Sequence, residues 1–135
     1  MADTQNHFDV IIVGAGISGI GAAYHLKAIS SDRSFQTLES RANFGGTWDW
    51  FRYPGVRSDS DLCTLGYRFK PLTADKSIDD GPAILEYLRE MISENNLDEK
   101  IRNNQHVTKA EWSTEKKSWT LSFVDIISDT ILTFL

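Results

Sequence analysis

The chain has 135 residues, enough for one domain, with 41% hydrophobic and 24% charged side chains, the balance of a globular protein rather than a disordered one. Its net charge of −5 is spread among interspersed acids and bases, so no basic stripe points to nucleic acid or an anionic membrane. Cys63 is the only cysteine, which excludes an internal disulfide and a cysteine-based metal cluster and fits a reducing, cytoplasmic setting.

Residues 1–9 show no signal-peptide pattern, and Val10-Ile11-Ile12-Val13 is far shorter than the ~20 apolar residues a transmembrane helix needs. Residues 8–13 form a β-branched run that ends at glycine, which predicts a buried strand. In 17–29, Ile17, Ile20, Tyr24 and Ala28 recur near helical spacing, and Ser30, Ser31 and Asp32 break the pattern. Residues 35–38 read as a second strand, so 8–39 is a βαβ unit. Residues 40–81 have little periodicity and are expected to be a functional loop, with a short helix near 62–69. Residues 82–100 carry a helix opened by Pro82, capped by Asp79 or Asp80, with Ile84, Leu85, Leu88, Met91 and Ile92 as its apolar stripe. Residues 101–135 read as an extended strand followed by a β-meander, in which Trp112 and Trp119 fit a hairpin pair.

Gly14-Ala15-Gly16-Ile17-Ser18-Gly19 lies between the first strand and the first helix. Gly14 permits a tight turn, Gly16 lets the backbone approach a pyrophosphate, and Gly19 lets helix and strand pack closely. Amides at the helix start then face the phosphates, and Ser18 adds a hydroxyl donor. Glu39, closing the second strand, is placed to accept hydrogen bonds from an adenosine ribose. The blander reading is a glycine-rich turn with no ligand, but the strand, helix and acid all stand where a dinucleotide site needs them.

The stretch from Asn43 to Arg68, NFGGTWDWFRYPGVRSDSDLCTLGYR, together with that fingerprint, resembles the class B flavoprotein monooxygenases of the Baeyer–Villiger type, nearest the ethionamide-activating subgroup. The resemblance implies an α/β fold with a Rossmann-like FAD-binding βαβ unit, an additional helix and a β-meander. It implies that Gly14, Gly16, Ser18 and Gly19 face the FAD pyrophosphate and Glu39 its ribose. Gly46, Thr47, Trp48, Asp49 and Trp50 would lie along the flavin, making 40–81 a flavin-contacting loop. Asp59 would lie near the isoalloxazine and the nicotinamide site, Arg57 and Ser58 would be NADPH contacts, and the Val107 backbone would meet the adenine. Competing readings stand beside these: Trp48 and Trp50 as core aromatics, Arg57 as a solvated charge, Asp59 as a helix cap, and Cys63 as a packed side chain. His7, His25 and His106 lack metal-ligand spacing, and no side chain reads as a catalytic nucleophile or acid–base pair.

The family also has a second GxGxxG for NADPH and a fingerprint of the form FxGxxxHxxxW, and neither occurs in this sequence. The expectation is therefore an incomplete FAD-binding domain, with the NADPH domain absent and the sheet truncated. Residues 10–13 would be left as an apolar edge open to a partner chain that supplies missing strands. Members of the family oxygenate ketones, sulfides or amines through a C4a-peroxyflavin, the chemistry being the cofactor's. This chain alone is expected to be inactive, with weak FAD binding, poor solubility or dependence on a partner that supplies the missing strands. The alternatives are a non-catalytic FAD- or nucleotide-binding module, a remnant of a truncated gene, and a small flavoprotein reductase. The single cysteine and single glycine fingerprint argue against the last.

Overall fold

The computed structural model describes residues 7–71 and 78–134. The expectations for residues 72–77 of the loop, for Leu135 and for the Cys63 side chain lie outside what it describes.

The Val-Ile-Ile-Val run forms β1 (Val10–Val13), and Phe-Gln-Thr-Leu forms β2 (Phe35–Leu38). They pair in parallel, Val10 opposite Phe35 and Val13 opposite Leu38, with α1 (Ile17–Ile29) between them in sequence. A two-residue strand, β3 (Ile101–Arg102), joins the other side of β2 in parallel, giving the order β1-β2-β3. All four β2 residues are buried, as a central strand requires. β1 has a strand neighbour on one side only among the described residues, and Val13 at its end is 61% exposed.

Side chains alternate across the sheet, so its two faces build two cores. Phe35, with Val10 and Ile12 against it, packs on Ile20 and Ala23 of α1 and on Tyr87, Leu88, Met91 and Ile92 of the long helix. Leu38 and Ile11 face the other way, toward Phe123, Phe134, Phe8 and Val107. The long helix is α4, the fourth along the chain (Gly81–Glu94), after two single-turn helices, α2 (Thr47–Trp50) and α3 (Leu62–Leu65). Asp80, rather than Asp79, caps α4 by accepting the Ala83 N–H at 2.9 Å. Of the predicted stripe, Ile84, Leu88, Met91 and Ile92 are buried and Tyr87 joins them, while Leu85 is half-buried.

The extended strand expected at the start of 101–135 is divided in two. Asn104, at φ 61°, turns the chain after β3, and β4 (Gln105–Ser113) starts a separate antiparallel meander with β5 (Ser118–Asp125) and β6 (Thr130–Phe134). Asparagine tolerates this left-handed conformation, so a continuous extended pattern divides between two sheets. Trp112 and Trp119 face each other in the β4–β5 register with ring centroids 5.6 Å apart.

Candidate functional site

β1 and β2 end side by side, and the glycine loop starts there. The Gly14 N–H donates to the Leu38 carbonyl at 2.8 Å, and the chain turns through φ +97° at Gly14, a conformation that favours glycine. Gly16 is the N-cap of α1, no side chain caps the helix, and its first turn holds no acid. The Ile20 N–H reaches back to the Gly16 carbonyl, so the amides of Ile17, Ser18 and Gly19 precede the helical ladder and suit an anion. Gly19 allows the helix onto the loop: a Cβ there would stand 1.9 Å from the Gly14 carbonyl oxygen.

Glu39 meets this loop. Its carboxylate is buried, accepting the Ala15 N–H at 2.7 Å through Oε2 and the Arg41 N–H at 2.9 Å through Oε1. Its backbone is held on both sides, the N–H by Arg102 and the carbonyl by Gln105. The acid is therefore fixed where β2, β3 and β4 converge, beside the helix start.

The second glycine pair closes on the first. The Gly45 N–H donates to the Ala15 carbonyl at 2.9 Å, and a Cβ on Gly46 would lie 3.0 Å from the Gly16 Cα. The two backbones thus approach closely at Gly46, where a Cβ would crowd Gly16, while Gly16 itself has ordinary contact space. Gly46 then opens α2, and the helix separates its residues, since positions two apart point to nearly opposite sides. Thr47 and Trp48 line a cavity of about 480 Å³ together with Arg57, Ser58 and Asp59. Trp50 points away from it, 62% exposed, with the Arg41 guanidinium 4.1 Å over its ring. The buried Asp49 carboxylate faces Arg41 at 3.3 Å and Arg52 at 2.6 Å.

The predicted residues therefore form two groups. Gly14, Gly16, Ser18, Gly19, Glu39 and Gly46 surround the helix start, while Thr47, Trp48, Arg57, Ser58 and Asp59 share the cavity. Asp49 and Trp50 are turned to Arg41 instead of that cavity. Ser58 is buried with its hydroxyl donating to the Ser60 carbonyl, whereas Arg57 and Asp59 are exposed. Asp59 does not cap α3; Asp61 does, accepting the Thr64 N–H at 2.9 Å. Val107 packs its half-buried side chain against the second core, opposite Phe123 and beside a β-bulge between Val107 and Lys109.

Sequence reasoning missed Arg41 and the Ala15 amide; the signal for Arg41 was a cation two residues beyond the strand-closing acid. It also missed Tyr67, whose hydroxyl donates to the Ile17 carbonyl in the first turn of α1. Burial first, and then neighbouring Tyr87, push the Tyr67 hydroxyl well above the usual tyrosine range, so it remains a donor. Among the described residues no three His, Cys, Asp or Glu side chains gather as a metal site, and no helix is long and apolar enough to cross a membrane.

A parallel sheet with a glycine turn at its carboxyl end, an uncapped helix start and a strand-closing acid defines a Rossmann-like α/β protein. The chain belongs to the NAD(P)-binding Rossmann-like domain family, whose model matches residues 12–90. It is 56% identical over 116 residues to the FAD-containing monooxygenase EthA of Mycolicibacterium smegmatis, covering 86% of this chain and 24% of that protein. It is 49% identical over 121 residues to the probable FAD-binding monooxygenase AlmA of an Acinetobacter species, covering 90% of this chain and 24% of that one. Among solved structures, an oxidized steroid monooxygenase bound to NADP superposes with a TM-score of 0.82 at 28% identity, over 95% of this chain and 25% of that chain. The chain thus spans about a quarter of the length of the relatives it matches.

Proposed function

We propose that this chain is the FAD-binding portion of an NADPH-dependent flavin monooxygenase of the Baeyer–Villiger or heteroatom-oxygenating type, and that it works in the cytoplasm. One observation carries the reading: the buried Glu39 carboxylate lies one hydrogen bond from the loop that opens an uncapped helix. The donor set fits the group, with amides for a diphosphate, a carboxylate for ribose hydroxyls, and a close backbone approach of Gly46 to Gly16 that leaves no bulk beside the helix start.

In this reading the amides of Ile17, Ser18 and Gly19 hold the diphosphate, with the Ser18 hydroxyl beside them, and Glu39 orients the adenosine ribose. The Val107 backbone meets the adenine edge. Thr47 and Trp48 form a wall for the isoalloxazine, which Asp59 approaches from across the cavity, and Arg57 and Ser58 are the contacts for NADPH. When bound, the flavin supplies the redox and oxygen chemistry, while these residues bind, orient and exclude water. Ketones, sulfides or amines are the substrate classes.

The open side of β1 takes part as well. Phe8, Ile11, Val13, Trp112, Trp119, Leu121 and Phe134 line a cleft of about 600 Å³ beside that strand. A strand from elsewhere in the protein or from a partner chain covers it in the working enzyme.

The test is to titrate FAD with purified chain and follow the flavin spectrum. A saturable shift is expected; an unchanged spectrum at high protein concentration counts against the reading. Because the chain spans a quarter of its relatives, a non-catalytic FAD-binding module is the second reading. Co-expression with the Mycolicibacterium smegmatis relative lacking its first quarter separates the two. Restored NADPH oxidation in air supports the monooxygenase, and flavin binding without restoration supports the module.

A further inference from the structure

The contacts around α2 and the glycine loop join into a ring. Ala15 donates its N–H to Glu39 Oε2 at 2.7 Å, and Arg41 donates its N–H to Glu39 Oε1 at 2.9 Å. The Arg41 guanidinium lies 3.3 Å from the Asp49 carboxylate and stacks on Trp50. Asp49 belongs to α2, whose approach begins at Gly45, and the Gly45 N–H returns to the Ala15 carbonyl at 2.9 Å. Every polar link is to backbone or to a buried carboxylate, Glu39 being 5% and Asp49 5% exposed. Arg52 also holds Asp49 at 2.6 Å, so the carboxylate keeps a partner if Arg41 is removed.

From this ring we infer that Arg41 is a positioning residue that fixes the two halves of the dinucleotide cleft to each other. It sets Glu39 through its backbone and α2 through its side chain. Its planar guanidinium suits this task, since one face lies on Trp50 while the edge pairs with a carboxylate. The consequence is that losing the guanidinium frees the residue 41 backbone from α2, so that the N–H held against Glu39 and the Trp48 end both lose their mutual anchor, although Arg41 itself is assigned no contact with the ligand. The inference rests on the proposed FAD reading for its whole-ligand arm, whereas its ADP arm needs only a nucleotide at the glycine loop.

The experiment is calorimetric titration of the full chain with FAD and, separately, with ADP, beside thermal unfolding of each variant. Arg41→Gln is expected to weaken FAD and ADP alike by roughly tenfold, as displaced cleft walls do, and Arg41→Lys to recover most of the loss. Trp48→Phe, on the flavin side, is expected to weaken FAD alone. If Arg41→Gln unfolds earlier yet binds both ligands as the unmodified chain does, the residue is only structural and the inference is overturned. Weakening of FAD with ADP unchanged overturns it as well. If the unmodified chain binds ADP but not FAD, the flavin reading falls and the ADP arm alone decides about Arg41. If it binds neither, both fall. Should Arg41→Gln fail to fold, Trp50→Leu at the exposed end of the stack carries the test, with roughly threefold loss for both ligands expected.

Discussion

Gly19→Ala is the sharpest perturbation of the helix–loop contact on which the site is built. Alanine is a better helix former than glycine, so propensity alone would stabilise α1 by about 1 kcal/mol. The added Cβ, however, would stand 1.9 Å from the Gly14 carbonyl oxygen and 3.5 Å from the Ile12 Cγ2. The obstacle is backbone, and Gly14 is itself tied to Leu38 by a 2.8 Å hydrogen bond, so no flexible side chain can yield. Helix and loop must part by about 1 Å, an overpacking cost of about 3 kcal/mol that outweighs the propensity gain. The net expectation is about 2 kcal/mol of destabilisation in urea unfolding followed by tryptophan fluorescence, with at least roughly tenfold weaker FAD binding because the amides move off the diphosphate. Ala22→Gly, at an exposed position on the same helix, should cost about 1 kcal/mol and leave binding unchanged. A Gly19→Ala chain as stable as the parent, binding FAD equally well, would refute the reasoning.

Three further outcomes follow from individual residues. Glu39→Gln keeps the shape of a buried acceptor but loses its charge and presents an amide to the Ala15 and Arg41 N–H groups; flavin fluorescence titration should show weaker FAD binding by roughly tenfold or more. Phe123→Ala empties a fully buried site between Leu38 and Phe134 and should cost about 3–5 kcal/mol in chemical denaturation. Asp9 is held below its ordinary value of 3.8 by the Ser34 N–H, then the Ser34 hydroxyl, with Arg33 adding to it; Asp125 is likewise held below 3.8 by the Gln105 amide, then by the Ser128 and Ile127 N–H groups. A carboxylate whose pKa falls on folding contributes stability above its unfolded value and loses it as pH drops through the folded one. Acid unfolding below pH 3.8, followed by circular dichroism, should therefore be shallower in Asp9→Asn than in the parent.

The elements with strong punctuation were legible in the sequence. α1 and β2 fall where periodicity placed them, because Gly16 opens the helix and Ser30 to Asp32 end it. The single turn of α2 was hidden, since four residues carry no helical period, and so was its effect of sending Trp48 and Trp50 to different sides. The break at Asn104 was equally hidden, because both strands around it read as extended. The place of Glu39 beside the glycine loop was legible from spacing, whereas the Asp49–Arg41 pairing is tertiary: it depends on the fold bringing residues 41 and 49 together, which no local pattern encodes.

Where a flavin dinucleotide sits is measured directly by a crystal structure of the chain grown with FAD. The predicted result is density for the diphosphate against the amides of Ile17, Ser18 and Gly19, with the ribose hydroxyls on the Glu39 carboxylate. FAD bound elsewhere, or a glycine loop left bare at saturating FAD, would contradict it.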